Sequence, residues 1–335
     1  MNILIRVDAS IEIGTGHFVR QIALAQLLID EGFTVHFLTK TTQKELLDQA
    51  MKEGIQLQTM DSEITIDQDA KKTVQYAKHQ GVHWVILDGY PFVTEYQQII
   101  KSAGLKLMCV DDIAECHFVA DVVLNQNTTD STIYSKEPYT QLLMGPEYAL
   151  LRREFRLYED KKDIRNRIED IIITMGGSDE KNMTETILKW ILNLPELSGI
   201  RCHFVLGSLN PHRDSIEAIL SGSNLDGKVY TALSAQEMLN LMCKVDLAIT
   251  AAGSIVWEYI KVGVPFIAMQ VYENQYYVID WIAENMSGSI IKKSHQNLFN
   301  IKFNYMLKSQ NRILMKKLAD DVSKSKKIND IITLL

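Results

Sequence analysis

Residues 3–30 read ILIRVDASIEIGTGHFVRQIALAQLLID, and this stretch decides the fold class. Its first five residues, 3–7, are mostly apolar and β-branched, which predicts a strand buried on both faces. Gly14 and Gly16 follow, and from residue 18 onward apolar side chains recur at helical spacing on one face. A strand, a glycine turn and an amphipathic helix in this order indicate a βαβ unit of an α/β protein.

The same alternation continues along both halves of the chain. Strands are predicted at 3–7, 34–38, 84–87, 106–110, 122–124, 171–175, 203–206, 246–250 and 266–269. Helices are predicted from 18 onward and at 43–53, 68–80, 94–103, 182–193, 234–243, 254–262 and 274–285. We therefore expect two doubly wound, Rossmann-like domains that face a cleft. An N-terminal domain at 1–155, a C-terminal domain at 168–295 and a helical segment at 296–335 fit this pattern. The charged stretch 156–170 is read as a linker or as a solvated helix.

Composition excludes several functional classes. The chain has 335 residues, 46% of them hydrophobic and 23% charged, and 35 basic against 42 acidic residues give a net charge of −7. An acidic protein of this kind argues against nucleic-acid binding. The chain shows neither a signal-peptide pattern at its start nor an apolar run of membrane-spanning length, so we expect a cytoplasmic protein without stable membrane insertion. Its four cysteines include no C-x-x-C pair and are expected to be reduced thiols.

The first candidate for chemistry is the loop that ends in Gly14, Gly16 and His17. Two glycines allow close backbone approach, and the following helix start offers free amides and a positive dipole end to a phosphate. His17 would then project from the first helical turn. The alternative is an ordinary strand–helix turn in which His17 is a satisfied polar residue.

Two loops of the second half have the same form. Gly176, Gly177 and Ser178 follow a strand and precede a helix; the alternative is a loop capped by Ser178 or Asp179. Gly253 and Ser254 also follow a strand, and they precede a further helix.

Glu258 lies about one turn inside the helix that starts at Ser254. From there its carboxylate could accept both hydroxyls of a ribose. The alternative is a solvated surface glutamate. The sequence Gly263-Val-Pro265 is expected to end that helix.

Acidic residues follow first-half strands at their carboxyl ends. Asp88, Asp111 and Asp112 stand where open α/β sheets bind ligands, so they are expected to face the cleft. For Asp112 a helix or turn cap is an equal alternative. No His or further acid lies at ligand spacing, so we expect no metal and no cofactor.

Together these segments resemble the nucleotide-sugar hydrolases of the pseudaminic acid pathway, which act on UDP-2,4-diacetamido-2,4,6-trideoxy-altropyranose, and the related spore-coat polysaccharide proteins. The resemblance runs in order from residue 3 to about residue 280. The residues that carry it are Arg6-Val-Asp8, Gly14-Thr-Gly-His17, Arg20, Asp88-Gly-Tyr90, Asp111-Asp112, Asn125-Gln-Asn127, the run from Gly145 to Phe155, Gly176-Gly-Ser-Asp179, Ala252-Gly-Ser254, Trp257-Glu258 and Glu273-Asn-Gln275.

The resemblance implies a glycosyltransferase-B-type fold with UDP mainly in the second domain. It implies hydrolysis of a UDP-sugar to UDP and the free sugar, with His17 as the catalytic residue. The residues expected to contact the UDP-sugar are Gly14, Gly16, Arg20, Asp88, Tyr90, Gly176, Gly177, Ser178, Gly253, Ser254, Glu258, Glu273, Asn274 and Gln275. Two departures are Glu180, where the family often has proline, and Gly89, where a serine or another residue is common.

An imidazole base suits this reaction because its unperturbed pKa lies near neutrality. UDP is a weak base when it leaves, so no general acid is needed, and attack by one water predicts inversion. A glycosyltransferase that uses the same UDP site is the alternative, and a non-catalytic nucleotide-sugar-binding protein is a third class. Should His17 only position phosphate, Asp8 or Asp88 is the next candidate base. The sequence gives no indication of oligomeric state.

Overall fold

The structure is a computed structural model that describes residues 1–10, 12–160, 162–194, 199–293, 295–323 and 327–335. It divides into two compact units. Unit 1 comprises Met1–Ile13, His17–Arg153 and Lys326–Leu335, and unit 2 comprises Gly14–Gly16 and Glu154–Ser325. Each unit contains one large parallel sheet with helices packed against it, and the two are described separately.

Unit 1 is built on a seven-stranded parallel sheet. Its strands are β1 (Asn2–Val7), β2 (Thr34–Thr39), β3 (Gln56–Thr59), β4 (Val82–Asp88), β5 (Lys106–Val110), β7 (Val122–Asn125) and β9 (Gln141–Met144). The short strands β6 (His117–Phe118) and β8 (Ser135–Lys136) pair separately. In the order β3-β2-β1-β4-β5-β7-β9, the chain first adds β2 and β3 on one side of β1 and then crosses to add β4 and the later strands on the other side. This change of side between β1 and β4 is typical of a doubly wound sheet.

Helices cover both faces of this sheet. They are α1 (Gly16–Asp30), α2 (Lys44–Lys52), α3 (Ile66–His79) and α4 (Thr94–Ser102), with the short α5 (Arg153–Arg156) where the two units join along the chain. Successive residues of β1 point to opposite faces, so Ile3 and Ile5 pack with Phe18 of α1 while Leu4 joins the core on the other face. Burial on both faces explains why the central strands are apolar without alternation.

Unit 2 repeats the scheme with a six-stranded parallel sheet in the order β12-β11-β10-β13-β14-β15. The strands are β10 (Asp170–Thr174), β11 (Arg201–Leu206), β12 (Gly227–Thr231), β13 (Leu247–Ala251), β14 (Phe266–Met269) and β15 (Ser289–Ile291). The helices are α6 (Met183–Leu192), α7 (Arg213–Ser221), α8 (Ala235–Met242), α9 (Ile255–Val262), α10 (Tyr276–Asn285), α11 (Gln296–Leu307) and α12 (Ser309–Ser323).

The last helix, α13 (Asn329–Leu334), returns to unit 1. Ile331 is fully buried in the same core as Ile3 and Phe18. Polar contacts fix this end: the amide of Lys327 donates to the carbonyl of Glu147 at 3.1 Å, and the hydroxyl of Tyr148 lies 3.3 Å from Asp330 Oδ2. The chain end is therefore an integral part of unit 1.

The predicted fold class is confirmed. The structure also contains strands and one helix that the sequence patterns did not predict. The predicted strands do not include β3, β9, β12 and β15, which lie at the edges of the two sheets. Edge strands are often short and partly exposed. Accordingly, β3, β12 and β15 have no more than two consecutive apolar residues. Helix α7 was missed because it buries only Ile216. In the stretch 156–170 the described residues between α5 and β10 are not helical, which favours the linker; Lys161 lies outside the described residues.

Candidate active site

The carboxyl ends of β1, β4 and β5 surround the start of α1 in unit 1. β4 pairs in parallel with β1, and Asp88, its last residue, stands beside Val7. His17 lies in the first turn of α1 with its ring buried. Its Nδ1 atom is 2.6 Å from Asp88 Oδ1, and the edge of the Tyr90 ring packs on it at 5.0 Å between centroids. The topology thus joins residues that are 71 positions apart.

Arg20 lies one helical turn after His17 and holds the same carboxylate. Its Nε donates to Asp88 Oδ2 and its Nη2 to Asp88 Oδ1, both at 2.6 Å. Its third nitrogen, Nη1, donates to Asp112 Oδ1 at 2.6 Å. Gln21 adds a further donor to Asp88 at 2.6 Å, and Asn127 donates to Asp112 at 2.7 Å. We call His17, Arg20, Asp88, Asp112 and Asn127 the buried charge network.

The charges around His17 favour a proton on its Nδ1 atom, which lies 2.6 Å from Asp88 Oδ1 and 2.9 Å from Arg20 Nη2. Burial raises the pKa of Asp88, but the charges of Arg20 and then His17, with their hydrogen bonds, outweigh burial and hold that pKa well below its usual range. Burial lowers the pKa of Arg20, and Asp112 and Asp88 raise it further than burial lowers it. Asp88 is therefore an acceptor, and the Nδ1–H of His17 donates to it. In the neutral ring the lone pair then lies on Nε2.

The structure assigns roles that the sequence could not separate. Arg20 and Asp88 were predicted to contact substrate, yet their charged groups are buried and engaged with one another and with His17. The turn cap considered for Asp112 belongs to Asp111, whose Oδ2 accepts from the amides of Ile113 and Ala114. Burial raises the pKa of Asp111. Asp112 faces Arg20 instead.

Asp8, the alternative base, is held by a second ionic group. Arg6 binds it with two nitrogens at 2.5 and 2.7 Å, and the amide of Lys40 donates to it at 2.6 Å. The same guanidinium binds Asp69 of α3 at 2.9 and 2.6 Å. Burial raises the pKa of Asp69, but Arg6 outweighs burial and lowers it to about 2. These contacts favour a structural role for Asp8.

In unit 2, the loop from β10 to α6 already holds a carboxylate at its helix start. Asp179 accepts from the amides of Met183 and Thr184 at 2.8 and 2.9 Å, and burial raises its pKa. Gly176 has a left-handed φ of +98°, which favours glycine. The alternative of a loop capped by Asp179 is thus what the structure contains. Gly177 and the buried Ser178 complete this loop.

At the start of α9 the side chain of the N-cap residue makes no capping hydrogen bond, and the amides of Val256 and Trp257 donate to the carbonyls of Gly253 and Ser254 at 3.1 and 3.2 Å. Ser254 is the N-cap residue, and the space around the Cβ position of Gly253 is open. Glu258 in the first turn is buried, so it is not the solvated surface glutamate of the alternative. Gly263 ends α9 in the left-handed conformation with a φ of +80°, as the sequence predicts.

The third loop of unit 2 follows β14. Glu273–Gln275 forms a short 3₁₀ turn in which Glu273 is exposed and Asn274 half-buried. The side-chain oxygen of Gln275 accepts from the amides of Val271 and Tyr272 at 2.7 and 3.2 Å, which fixes the turn. Because β10, β13 and β14 are parallel neighbours, all three loops lie at one edge of the sheet.

The first-half glycine loop and Tyr90 complete the predicted set. Gly14 has a φ of +76°, and Gly16 is the first residue of α1. Tyr90 is 40% exposed. Among the residues that the structure describes, no group of three or more His, Cys, Asp or Glu side chains could hold a metal ion, and no helix in them is long and apolar enough to cross a membrane.

Sequence comparison with curated proteins gives three informative relatives. The UDP-2,4-diacetamido-2,4,6-trideoxy-beta-L-altropyranose hydrolase of Campylobacter jejuni is 26% identical over 288 residues, 85% of this chain and 97% of that protein. The resemblance predicted from the motifs is confirmed. The spore coat polysaccharide biosynthesis protein SpsG of Bacillus subtilis is 30% identical over 142 residues, 41% of this chain and 39% of its own length. An uncharacterized protein of Methanocaldococcus jannaschii, MJ1062, is 26% identical over 82% of this chain, which spans 56% of that protein. No family model matches the chain.

Several solved structures have a similar fold. MurG of Acinetobacter baumannii has a TM-score of 0.63 at 16% identity, covering 100% of this chain and 99% of MurG. The spinosyn rhamnosyltransferase SpnG with thymidine diphosphate has a TM-score of 0.69 at 12% identity, covering 100% and 99%. The chain has a glycosyltransferase-B-type fold. S. aureus MnaA, solved with UDP, is also similar, with a TM-score of 0.70 at 11% identity over 100% and 97% of the chains. The glycosyltransferase-B-type fold and the hydrolase relative together support an enzyme.

Proposed function

We propose that the chain is a nucleotide-sugar hydrolase. Its substrate is a UDP-linked 2,4-diacetamido-2,4,6-trideoxyhexose, and its products are UDP and the free sugar, as in pseudaminic-acid-type nonulosonate biosynthesis. The observation that carries the proposal is the 2.6 Å contact between His17 Nδ1 and Asp88 Oδ1. This contact fixes the ring and leaves the Nε2 lone pair to accept a proton. The similarity to the Campylobacter hydrolase supports the sugar.

Water is the nucleophile in this mechanism. Nε2 of His17 removes one proton from water as its oxygen forms a bond to the anomeric carbon. The bond between that carbon and the diphosphate oxygen breaks, and UDP leaves with the electron pair. The result is inversion of configuration and a protonated His17 beside the anionic Asp88. A carboxylate pair of the glycosidase kind is not needed, because UDP requires no protonation to leave.

Unit 2 supplies the UDP-binding groups in this proposal. We assign the diphosphate to the start of α9, where the space at Gly253 is open and the helix presents a positive dipole end. We assign the two ribose hydroxyls to Glu258, one turn further along α9. α6 is a weaker candidate for the diphosphate, since the Asp179 carboxylate already occupies its amides. No cofactor or metal enters the mechanism.

A glycosyltransferase is the second candidate. The structural similarity to the spinosyn rhamnosyltransferase favours it, because the same base can deprotonate an acceptor hydroxyl instead of water. The two functions differ only in what occupies the position of the nucleophile.

One incubation separates them. The full chain is mixed with UDP-2,4-diacetamido-2,4,6-trideoxy-β-L-altropyranose in ¹⁸O-labelled water without any acceptor, and UDP and the sugar are followed by mass spectrometry. A hydrolase releases both, with one ¹⁸O at the anomeric carbon of the first-formed sugar and none in UDP. UDP release that requires an added acceptor identifies a transferase. The His17→Asn variant is the control for background hydrolysis.

A further inference from the structure

The buried charge network contains more anions than cations. Asp88 and Asp112 each carry a negative charge, and Arg20 between them carries the only positive charge of these three. With a neutral His17 the sum over the network is −1. When the ring accepts a proton, the sum becomes zero. The network is therefore balanced only in the protonation state that the reaction produces.

Asp88 by itself does not provide this balance. Both of its oxygens accept from the guanidinium of Arg20 at 2.6 Å, so its charge is already matched before His17 takes a proton. The unmatched charge comes from the second carboxylate, Asp112, which is buried and lies on the other side of Arg20. In a site shielded from water, one charge more or less has a large effect on a neighbouring ring.

We propose that Asp112 is a positioning residue whose charge, transmitted through Arg20, stabilises the imidazolium that His17 forms during turnover. This inference rests on the proposed role of His17 as general base. Asp112 also restrains Arg20, whose Nη2 lies only 2.9 Å from His17 Nδ1.

The surroundings of Asp112 fit this role. Asn127 donates to the same oxygen that accepts from Arg20, at 2.7 Å, and so holds the carboxylate towards the guanidinium. Two further titratable groups lie nearby, and the charges of Asp112 and Arg20 act in opposite directions on the pKa of one of them, Asp111. Asp111 accepts from the hydroxyl of Tyr134 at 2.7 Å, and burial raises the pKa of the Cys109 thiol well above its usual value, which keeps it neutral.

The test removes the charge and keeps the shape. Asp112→Asn retains an oxygen that can accept from Arg20. We expect kcat to fall about 10- to 100-fold with KM within a few-fold, and the acidic limb of the kcat/KM profile to move to lower pH. Asp121→Asn is the matched control. Asp121 directly precedes β7 and so lies at the amino ends of the strands, whereas the buried charge network lies at their carboxyl ends. Its carboxylate pairs with Lys101 and Lys106 at 2.6 and 2.9 Å. This variant removes the same charge from unit 1 and is expected to change neither quantity.

A second readout works without turnover. The chain has eight histidines, and ¹⁵N-histidine NMR with His17→Asn for assignment follows the protonation of His17 directly. The midpoint is expected at lower pH in Asp112→Asn than in the wild type, and unchanged in Asp121→Asn. If the wild type releases no UDP, the proposed hydrolase fails while this titration still tests the charge argument. If Asp112→Asn does not fold, Asp112→Ser removes the same charge and is measured in its place. An unmoved midpoint together with wild-type kcat overturns the proposal.

Discussion

The carboxyl ends of the two sheets are built from opposite kinds of residue. In unit 1, loops after β1, β4 and β5 bring together buried ionised groups that bind one another, with Arg20 between Asp88 and Asp112. In unit 2, the loops after β10 and β13 carry glycines and serines, at Gly176, Gly177 and Ser178 and at Gly253 and Ser254. Similar topology thus supports two chemistries: fixed charges that control a proton, and neutral backbone donors that suit an anion.

A second contrast lies within unit 2. α6 and α9 both follow a strand and a glycine, yet amides at the start of α6 donate to the Asp179 carboxylate, whereas the amides of Val256 and Trp257 in α9 donate to backbone carbonyls. A glycine before a helix is therefore not enough to predict an anion site. What decides is whether the chain's own carboxylate already occupies the amides.

The largest expected effect follows from removing the base in unit 1. His17→Asn keeps some hydrogen bonding but cannot accept a proton from water, so turnover is expected to fall about 10²–10⁴-fold. UDP affinity should stay within a few-fold, because the groups assigned to UDP lie in unit 2. Steady-state kinetics and calorimetry measure the two quantities. A variant that retains most of its turnover contradicts the assignment of the base to unit 1.

Asp88→Asn tests the orientation of that base. The asparagine amide can donate to Nδ1 of His17, which moves the ring proton to Nε2 and removes the lone pair that accepts from water. A loss of turnover on the order of 10²–10⁴-fold is expected, as for the equivalent change in Ser-His-Asp triads. ¹⁵N shifts of His17 report the tautomer, and thermal unfolding checks that the variant folds. An unchanged tautomer rules out this explanation.

Glu258→Gln tests the assignment of the ribose to unit 2. Glu258→Gln weakens hydrogen bonds to the ribose, and since a bond to a charged group contributes about 1.5–3 kcal/mol, UDP should bind about 10- to 100-fold more weakly. For the wild type, UDP at a hundredfold excess over Kd should add about 2.7 kcal/mol to stability. Calorimetry measures both, with Glu217→Gln on α7 as the control, because Glu217 is half-buried and pairs with Arg213 of the same helix. Unchanged affinity in Glu258→Gln refutes the ribose contact.

The buried ions of unit 1 also predict acid sensitivity. The folded-state pKa values of Asp69 and Asp88 lie below the ordinary 3.8, that of Asp69 at about 2. Each therefore stabilises the fold above pH 4, and this contribution is lost as pH falls through the folded-state pKa. Hydrogen exchange at pH 7, 4 and 3 should show protection of β1–β5 declining before that of β10–β14. Asp69→Asn should lower protection at pH 7 and flatten this dependence; equal decline in both units contradicts it.

The smallest effect is expected from a chelator. If α9 amides hold the diphosphate, hydrolysis continues at an unchanged rate in excess EDTA. Loss of activity that magnesium restores is the opposing result, and it would assign the diphosphate charge to a cation.

Sequence patterns predicted the fold well because central strands and amphipathic helices carry strong periodicity. They predicted the site only as separate motifs. The spacing of His17 and Arg20 places both on one helix face, which was an available signal for their contact. Asp88 and Asp112 meet Arg20 across 68 and 92 positions of the chain, and no local pattern reports such pairing. Which charges pair depends on the order of the strands in the sheet, and local sequence patterns do not reveal that order.

The return of α13 to unit 1 has a consequence for synthesis of the protein. Ile331 fills part of the core that Ile3 and Phe18 begin, so the ribosome makes the first and last pieces of one core more than 300 residues apart. The core of unit 1 stays open until residue 331 has been synthesised, while unit 2 can complete its sheet earlier. A nascent chain released before residue 331 leaves the cell with an unfinished unit 1, which is a substrate for chaperones and proteases.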